Sequence, residues 1–232
     1  MVSRKNMRKP RTIAIDGPVA VGKNAVGSLL AERLRYRFLD TGAMYRALTW
    51  KAIGLGLDLE DEEALGELAV ETEIDLIAPE GNSSHGSVLV DGQDVSSEIR
   101  REEVERGVSP VSMVAKVREE LVAKQRRMAL GDVVVMVGRD IGTVVLPDAE
   151  LKIYLVASPE VRARRRYLEL VEKGKHIAYE QVLSDLERRD RLDSERSVSP
   201  LKPAADARIV DTDGLDIEQV LARIVAIIDE GQ

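Results

Sequence analysis

Apolar positions fall along this chain in two rhythms. The runs Thr12-Ile-Ala-Ile-Asp16, Asp132-Val-Val-Val-Met-Val137 and Leu151-Lys-Ile-Tyr-Leu-Val156 are nearly continuous, as in strands buried on both faces of a parallel sheet. Between such runs the apolar residues recur at helical spacing: Val26, Leu29, Leu30 and Leu34 early in the chain, and Ile217, Val220, Leu221, Ile224 and Ile228 at its end. The pattern predicts a helix over Lys23–Leu34, a short strand over 36–39, a helix over 43–53 capped by Asp40 or Thr41, and an acidic helix over 60–70. Gly54-Leu-Gly56 stops the second of these. Ile74–Ile77 and Ser87–Val90 then read as short strands joined by a turn at Gly81-Asn-Ser-Ser84, a small β insertion. Helical segments follow, the clearest at Ala115–Ala129, before the strand over 132–137. After Leu151–Val156, Ser158 and Pro159 are the cap and first position of a helix to about 173, broken by Gly174-Lys-His176. A helix over 179–191, a loop at 199–203, a strand at Arg208–Asp211 and the terminal helix complete the chain. The alternation predicts an α/β fold: a parallel sheet flanked by helices, with a small β-containing insertion.

Composition narrows the class. At 232 residues there is room for one α/β domain with insertions or two small domains, and 44% hydrophobic with 32% charged residues is an ordinary globular balance. Aromatic residues make up only 3%, too few for a base-stacking platform, and a net charge of −7 argues against a nucleic-acid partner. There are no cysteines, and the two histidines, His85 and His176, lie far apart, so no metal site is expected from them. The start, Met1 to Arg11, is basic but lacks the apolar segment of a signal peptide and reads as a solvated arm. No apolar run approaches the roughly 18 residues of a membrane span, so the expected setting is cytoplasmic, without a membrane partner.

Four stretches carry chemistry. Strand 12–16 runs into Gly17-Pro-Val-Ala-Val-Gly-Lys23 and then a helix, the setting in which GxxxxGK cradles phosphates with backbone N–H groups, a helix N-terminus and a lysine. Asp40-Thr-Gly-Ala-Met-Tyr-Arg46 places an arginine near another helix start; by itself it reads first as a capped helix with a surface arginine. Gly138-Arg-Asp140 ends a buried strand, where ligands of open α/β sheets bind, and its carboxylate could hold a metal or accept a hydrogen bond from a substrate amine. Arg162, Arg164, Arg165 and Arg166, then Arg188, Arg189, Arg191 and Arg196, cluster in an otherwise acidic chain. Ala163, Tyr167 and Leu170 form the apolar face of the first of these helices, which puts the arginines off that face. Such a run is usually a solvated surface, but phosphoryl transfer also needs positive charge around its transition state.

Asp16-Gly-Pro through Gly22-Lys23, Asp40-Thr-Gly-Ala-Met-Tyr-Arg46, Gly138-Arg-Asp-Ile-Gly-Thr143 and Pro203-Ala-Ala-Asp206 follow one another, with the β insertion between, as in bacterial cytidylate kinases, and the resemblance runs from about residue 12 to the C-terminus. It implies a P-loop nucleoside monophosphate kinase: a basic tail at 1–11, then a kinase domain with a monophosphate-binding insertion at about 41–130 and a short lid at about 160–196. It implies transfer of the γ-phosphate of ATP to CMP or dCMP with Mg²⁺, by a monomer. Gly17, Pro18, Val19, Ala20, Val21, Gly22, Lys23, Asn24 and Ala25 would wrap the ATP phosphates, with Arg162, Arg165 and Arg166 closing over the donor. Thr41, Arg46, Arg139 and Arg196 would hold the acceptor phosphate; Ser109, Arg118, Gly138 and Asp140 would meet the cytosine; Arg189 and Asp193 would reach the sugar and phosphate. Lys23, Arg139, Arg165 and Arg196 would be the catalytic charges. The acceptor phosphate has a second pKa of about 6 and is a nucleophile without a base, which suits a histidine-poor chain.

The loop departs from the pattern usual in that family. The two positions after the lysine, where hydroxyl side chains are usual, hold Asn24 and Ala25, and Val21 is β-branched where small residues are usual. One lost hydrogen bond to a charged group costs about 1.5–3 kcal/mol. The expectation therefore has an alternative: a CMP-binding protein with impaired use of ATP.

Overall fold

The computed structural model describes residues 9–77 and 86–230; the predicted turn at 81–84 and most of the basic tail lie outside them. Strands β1 (Thr12–Asp16), β2 (Arg37–Asp40), β6 (Val134–Gly138), β7 (Leu151–Val156) and β8 (Arg208–Asp211) form one parallel sheet in the order β2-β6-β1-β7-β8. Strands β3 (Ile74–Ile77), β4 (Ser87–Val90) and the two-residue β5 (Gln93–Asp94) form a small antiparallel sheet. The helices are α1 (Lys23–Leu34), α2 (Thr41–Gly54), α3 (Glu62–Glu71), α4 (Glu102–Val111), α5 (Ala115–Ala129), α6 (Pro159–Glu172), α7 (Tyr179–Glu195) and α8 (Ile217–Glu230).

The period of two in a strand explains how one apolar run serves two cores. In β1, Ile13 and Ile15 pack with Val26 and Leu30 of α1 and with Val220, Leu221, Ile224 and Ile228 of α8. Ala14 faces the other way, into the layer of α2, α3 and α5 that also covers the small sheet. Strand β6 divides likewise: Val135 and Val137 join the first cluster, Val134 and Met136 the second. A third cluster, Ala163, Leu170, Val182 and Leu186, holds α6 against α7 and has Val19 and Ala20 of the phosphate loop packed on it.

Register decides where chemistry can occur. Asp16 is opposite Gly138, and Asp40 opposite Val137, so β1, β6 and β2 all end at one edge of the sheet. Two glycines sit where a side chain would not fit. A Cβ on Gly17 would meet the carbonyl oxygen of Leu155 at 2.4 Å, and one on Gly138 would meet Thr41 Oγ1 at 2.6 Å.

The helix over Lys23–Leu34 and the strands at Ile74–Ile77, Ser87–Val90, Leu151–Val156 and Arg208–Asp211 are found where the pattern places them. Elsewhere tertiary contacts move the ends. Strand β2 begins one residue later than expected and continues to Asp40, and α2 starts at Thr41 rather than 43. Helix α3 starts after Asp61, whose carboxylate accepts from the Ala64 N–H and caps it. Helix α7 runs on to Glu195, carrying Asp193 into the fold. Ser158 occupies the cap position of α6 without a capping side-chain bond, and its own N–H donates to Asp213. The widened π-turn at Ile141–Val145, just after the strand end of β6, has no counterpart in the predicted pattern.

Gly138→Ala is expected to cost about 1–3 kcal/mol, because its Cβ would have to displace Thr41 and Ile141 in a packed interior. Thermal unfolding of the variant beside the parent checks this; an unchanged midpoint would contradict it.

Candidate active site

The loop after β1 turns through Gly17, φ +150, and Gly22, φ +98, with Ala20 also at a positive φ of 59. Lys23 opens α1 and is buried, its ammonium donating to the Pro18 carbonyl at 2.6 Å. Burial, with Arg139 nearby, brings the lysine down to about 7, and the carboxylates of Asp16, Asp193 and Asp40 offset this only in part. Val21 is no intrusion on the cradle: its side chain is buried among Ile13, Ile15 and Val26. Asn24 and Ala25 are exposed. Asn24 Nδ2 donates to Asp40 Oδ2 at 2.6 Å, and Arg46 donates to the same oxygen at 2.8 Å. Burial alone would raise Asp40, but Arg46 and Asn24 outweigh it and hold the carboxyl below its ordinary range. The aspartate expected as a helix cap thus makes no capping bond and instead links the loop after β1 to Arg46.

Beside this loop, five charged side chains alternate in sign. Arg118 on α5 bonds to Asp140. Asp140 lies 3.8 Å from Arg196, Arg196 lies 4.0 Å from Asp193, and Asp193 bonds to Arg139. Arg118 also donates to the Ser112 carbonyl at 3.1 Å, and its guanidinium lies 5.4 Å from the centre of the Tyr45 ring. Arg196 Nε donates to the Ser199 carbonyl at 2.6 Å. Burial would raise Asp193, but Arg139 and Arg189 outweigh it and hold it down. Burial, reinforced by Arg139, lowers Arg189 to about 10. Three buried guanidinium nitrogens, Arg118 Nε, Arg189 Nε and Arg196 Nη2, have no hydrogen-bond partner among the described residues. Arg46, Arg118, Arg139, Arg189 and Arg196 face Asp40, Asp140 and Asp193, an excess of positive charge with spare donors, suited to an anion.

The expected site residues therefore gather unevenly. Lys23, Arg46, Arg118, Arg139, Asp140, Arg189, Asp193 and Arg196 converge at the strand ends, joined there by Asp40, and Gly138 is the strand residue they flank. Ser109 lies on the last turn of α4, close in sequence to the Ser112 carbonyl that holds Arg118. Thr41 is buried with its hydroxyl proton committed to the Val137 carbonyl at 2.9 Å, so it has no proton to offer an anion in this arrangement.

The arginines of α6 are placed otherwise than a solvated face predicts. Arg162 is 3% exposed, paired with Asp190 at 2.7 Å and donating to the Ala157 and Val19 carbonyls. It braces the phosphate loop from behind. Arg165 bonds to Thr212 and to the Leu215 carbonyl, away from the arginine–aspartate cluster. Arg166 pairs with Glu105 on α4 and Glu169, and Lys175 reaches Glu102, so two ion pairs bridge α4 and the α6–α7 unit. Pattern reading did not single out Asp16, Tyr45 or Glu105. For Asp16 there was a signal: a carboxylate closing an apolar strand at the sheet edge.

The sequence model of the family described as cytidylate kinase matches residues 13–230. Relatives carrying that name include one from Bacillus velezensis, 50% identical over 225 residues, covering 97% of this chain and 99% of the relative. One from Geobacillus kaustophilus is 51% identical over 225 residues with the same coverage. Among solved structures, a gluconokinase from Sinorhizobium meliloti superposes with a TM-score of 0.50 at 15% identity, covering 96% of this chain and 94% of that one, a likeness of fold.

Because an anion next to Lys23 favours its charged form, binding of a polyphosphate is expected to take up a proton above pH 7. Affinity is then expected to fall as the pH rises from about 7 towards 10. Calorimetry of ATP binding at pH 8, where its phosphates are fully ionised, in buffers of different ionisation enthalpy, measures the uptake; none at that pH would contradict the assignment.

Proposed function

The chain belongs to the cytidylate kinase family, and on that premise we propose that it transfers the γ-phosphate of ATP to CMP or dCMP, giving CDP or dCDP and ADP. The observation that carries this reading is the pairing of a phosphate loop after β1 with an arginine–aspartate cluster at the neighbouring end of β6, two anion sites at one sheet edge.

In this reading the donor phosphates lie in the cradle of residues 17–25, and Lys23 leaves the Pro18 carbonyl to meet them. Arg46, Arg139 and Arg196 hold the acceptor phosphate, with Arg189 and Asp193 beside its sugar. Ser109, Arg118 and Asp140 meet the cytosine. Asp140 accepts from the exocyclic amine of cytosine; uracil would present a carbonyl oxygen there, and two acceptors repel. No general base is required, since the acceptor phosphate is itself the nucleophile. The residues work by alignment and charge neutralisation. Arg162 holds the loop through Val19 rather than touching the donor. Arg165 and Arg166 belong to a lid at about 160–196 that closes towards an insertion at about 41–130, along the line now bridged by Arg166 and Glu105.

The residues fit a magnesium ion carried by the nucleotide. Among the described residues no group of three or more His, Cys, Asp or Glu forms a metal cage. The one carboxylate tied to the start of α1 is Asp40, which suits an ion bound mainly by phosphates. Asp40 would hold it, and the ion would supply charge neutralisation between the phosphates. No helix among the described residues is long and apolar enough to cross a membrane. The reading extends to a cytoplasmic monomer acting on small nucleotides, without a nucleic-acid partner. Nothing in the site or among the relatives favours the alternative, CMP binding without turnover.

A coupled assay of ADP release with CMP, dCMP, UMP and AMP tests the proposal; no turnover of CMP or dCMP would overturn it. Asp140→Ala is expected to narrow the preference for CMP over UMP by about tenfold or more, since a buried polar mismatch carries that discrimination. Equal losses on the two substrates would refute the amine contact. Asn24→Thr restores a hydroxyl after Lys23 and is expected to lower the KM for ATP by about tenfold, with the KM for CMP unchanged. No gain would mean that the Asn24–Asp40 bond already replaces that hydroxyl.

A further inference from the structure

The sheet edge carries a buried carboxylate to which the proposed transfer gives no role. Asp16 is the last residue of β1 and immediately precedes Gly17, the first residue of the phosphate loop. It is 4% exposed. Its two oxygens each accept a backbone N–H at 2.8 Å, one from Ile141 and one from Gly142, across more than 120 residues of sequence. Those amides directly follow Arg139 and Asp140. They begin the π-turn Ile141–Val145, which otherwise has no side-chain cap. A carboxylate accepting two successive N–H groups at a helix start is a strong, directional restraint.

We propose that Asp16 is a positioning residue of phosphoryl transfer: its carboxylate ties the root of the donor loop to the segment that presents Arg139 and Asp140, and so sets the distance between the two phosphate sites. The inference rests on the kinase reading above. The parallel ladder fixes the strands, but Gly138 is their last paired residue. Beyond it the backbone of 139–142 needs another anchor, and Asp16 supplies it from the donor side.

The same contact makes the spacing sensitive to acid. Burial brings the Asp16 carboxyl up to about 6, with Asp140 adding to this and Lys23 and the two amides opposing it. From β7, Tyr154 faces it, and the Lys152 stem lies over Gly142 with its ammonium paired to Asp206. A proton on either oxygen turns an acceptor towards an N–H and breaks one of the two bonds. The folded-state value lies above the ordinary 3.8, so protonation favours the fold: this contribution to stability is present below about pH 4 and lost as the pH rises through 6. Acid should therefore weaken catalysis here before it weakens the fold.

Asp16→Asn keeps the size and replaces one acceptor by a donor, as protonation does. At pH 8 and saturating ATP, kcat/KM for CMP is expected to fall about ten- to a hundredfold, with the KM for ATP within about twofold of the parent. The log of kcat/KM for CMP should lose one unit of slope on its acid limb relative to the parent, leaving the slope of the substrate phosphate. Emission of the single tryptophan, Trp50, reports whether the variant is folded. A folded variant that retains the parent's acid slope, or loses ATP and CMP affinity alike, overturns the inference. In the unmodified protein, the amide proton resonances of Ile141 and Gly142 should titrate between pH 5 and 7; resonances that do not move overturn it even if the variant fails to fold. A parent enzyme with no activity on CMP or dCMP would instead overturn the kinase reading.

Discussion

The parallel register of three strands governs the rest of this molecule. With Asp16 opposite Gly138 and Asp40 opposite Val137, the ladder of β1, β6 and β2 brings residues from 16–24, 40–46 and 138–142 to one edge. In β1 and β6 alternate residues pack into different layers, so a slip by one residue would send every side chain to the wrong layer. The chemistry at the edge inherits its geometry from that packing. Cross-links then stitch the loops beyond the last paired residues: Asp16 to Ile141 and Gly142, Asn24 and Arg46 to Asp40, and Thr41 to Val137.

Electrostatics completes what the ladder begins. Charges this deeply buried are tolerable because they alternate, from Arg118 through Asp140, Arg196 and Asp193 to Arg139. The alternation is incomplete by design of the site: arginines outnumber aspartates, and three guanidinium nitrogens are left without partners. Such an excess of buried positive charge suits an anion. Burial pulls Lys23 down to about 7, well below the ordinary value of a lysine. The bridges from Arg166 and Lys175 to Glu105 and Glu102 are part-exposed, and water screens them, so each adds little to stability.

Much was legible from sequence because it is local. The Gly17–Lys23 spacing, the continuous strands and the stripe of the last helix are set by backbone geometry and burial within a dozen residues. Motif order went further and pointed to the family, which the match over residues 13–230 bears out. Arg162 and Arg165 show where this stops. Their spacing along α6 says only that they leave the face of Ala163, Tyr167 and Leu170. It does not say that Asp190 on the next helix draws Arg162 inward, or that Thr212 and the Leu215 carbonyl capture Arg165.

The loop substitutions make the same division. Sequence alone determined that two hydroxyls are missing after Lys23 and that Val21 is bulky. Only the tertiary structure decided that Val21 points into the core, that Asn24 reaches the carboxylate shared with Arg46, and that Asp16 spans to a segment 125 residues away. A side chain's type and its local period are written in the chain. Its partner is chosen by strand register and by the need of every buried charge to find an opposite one, and those are properties of the whole fold.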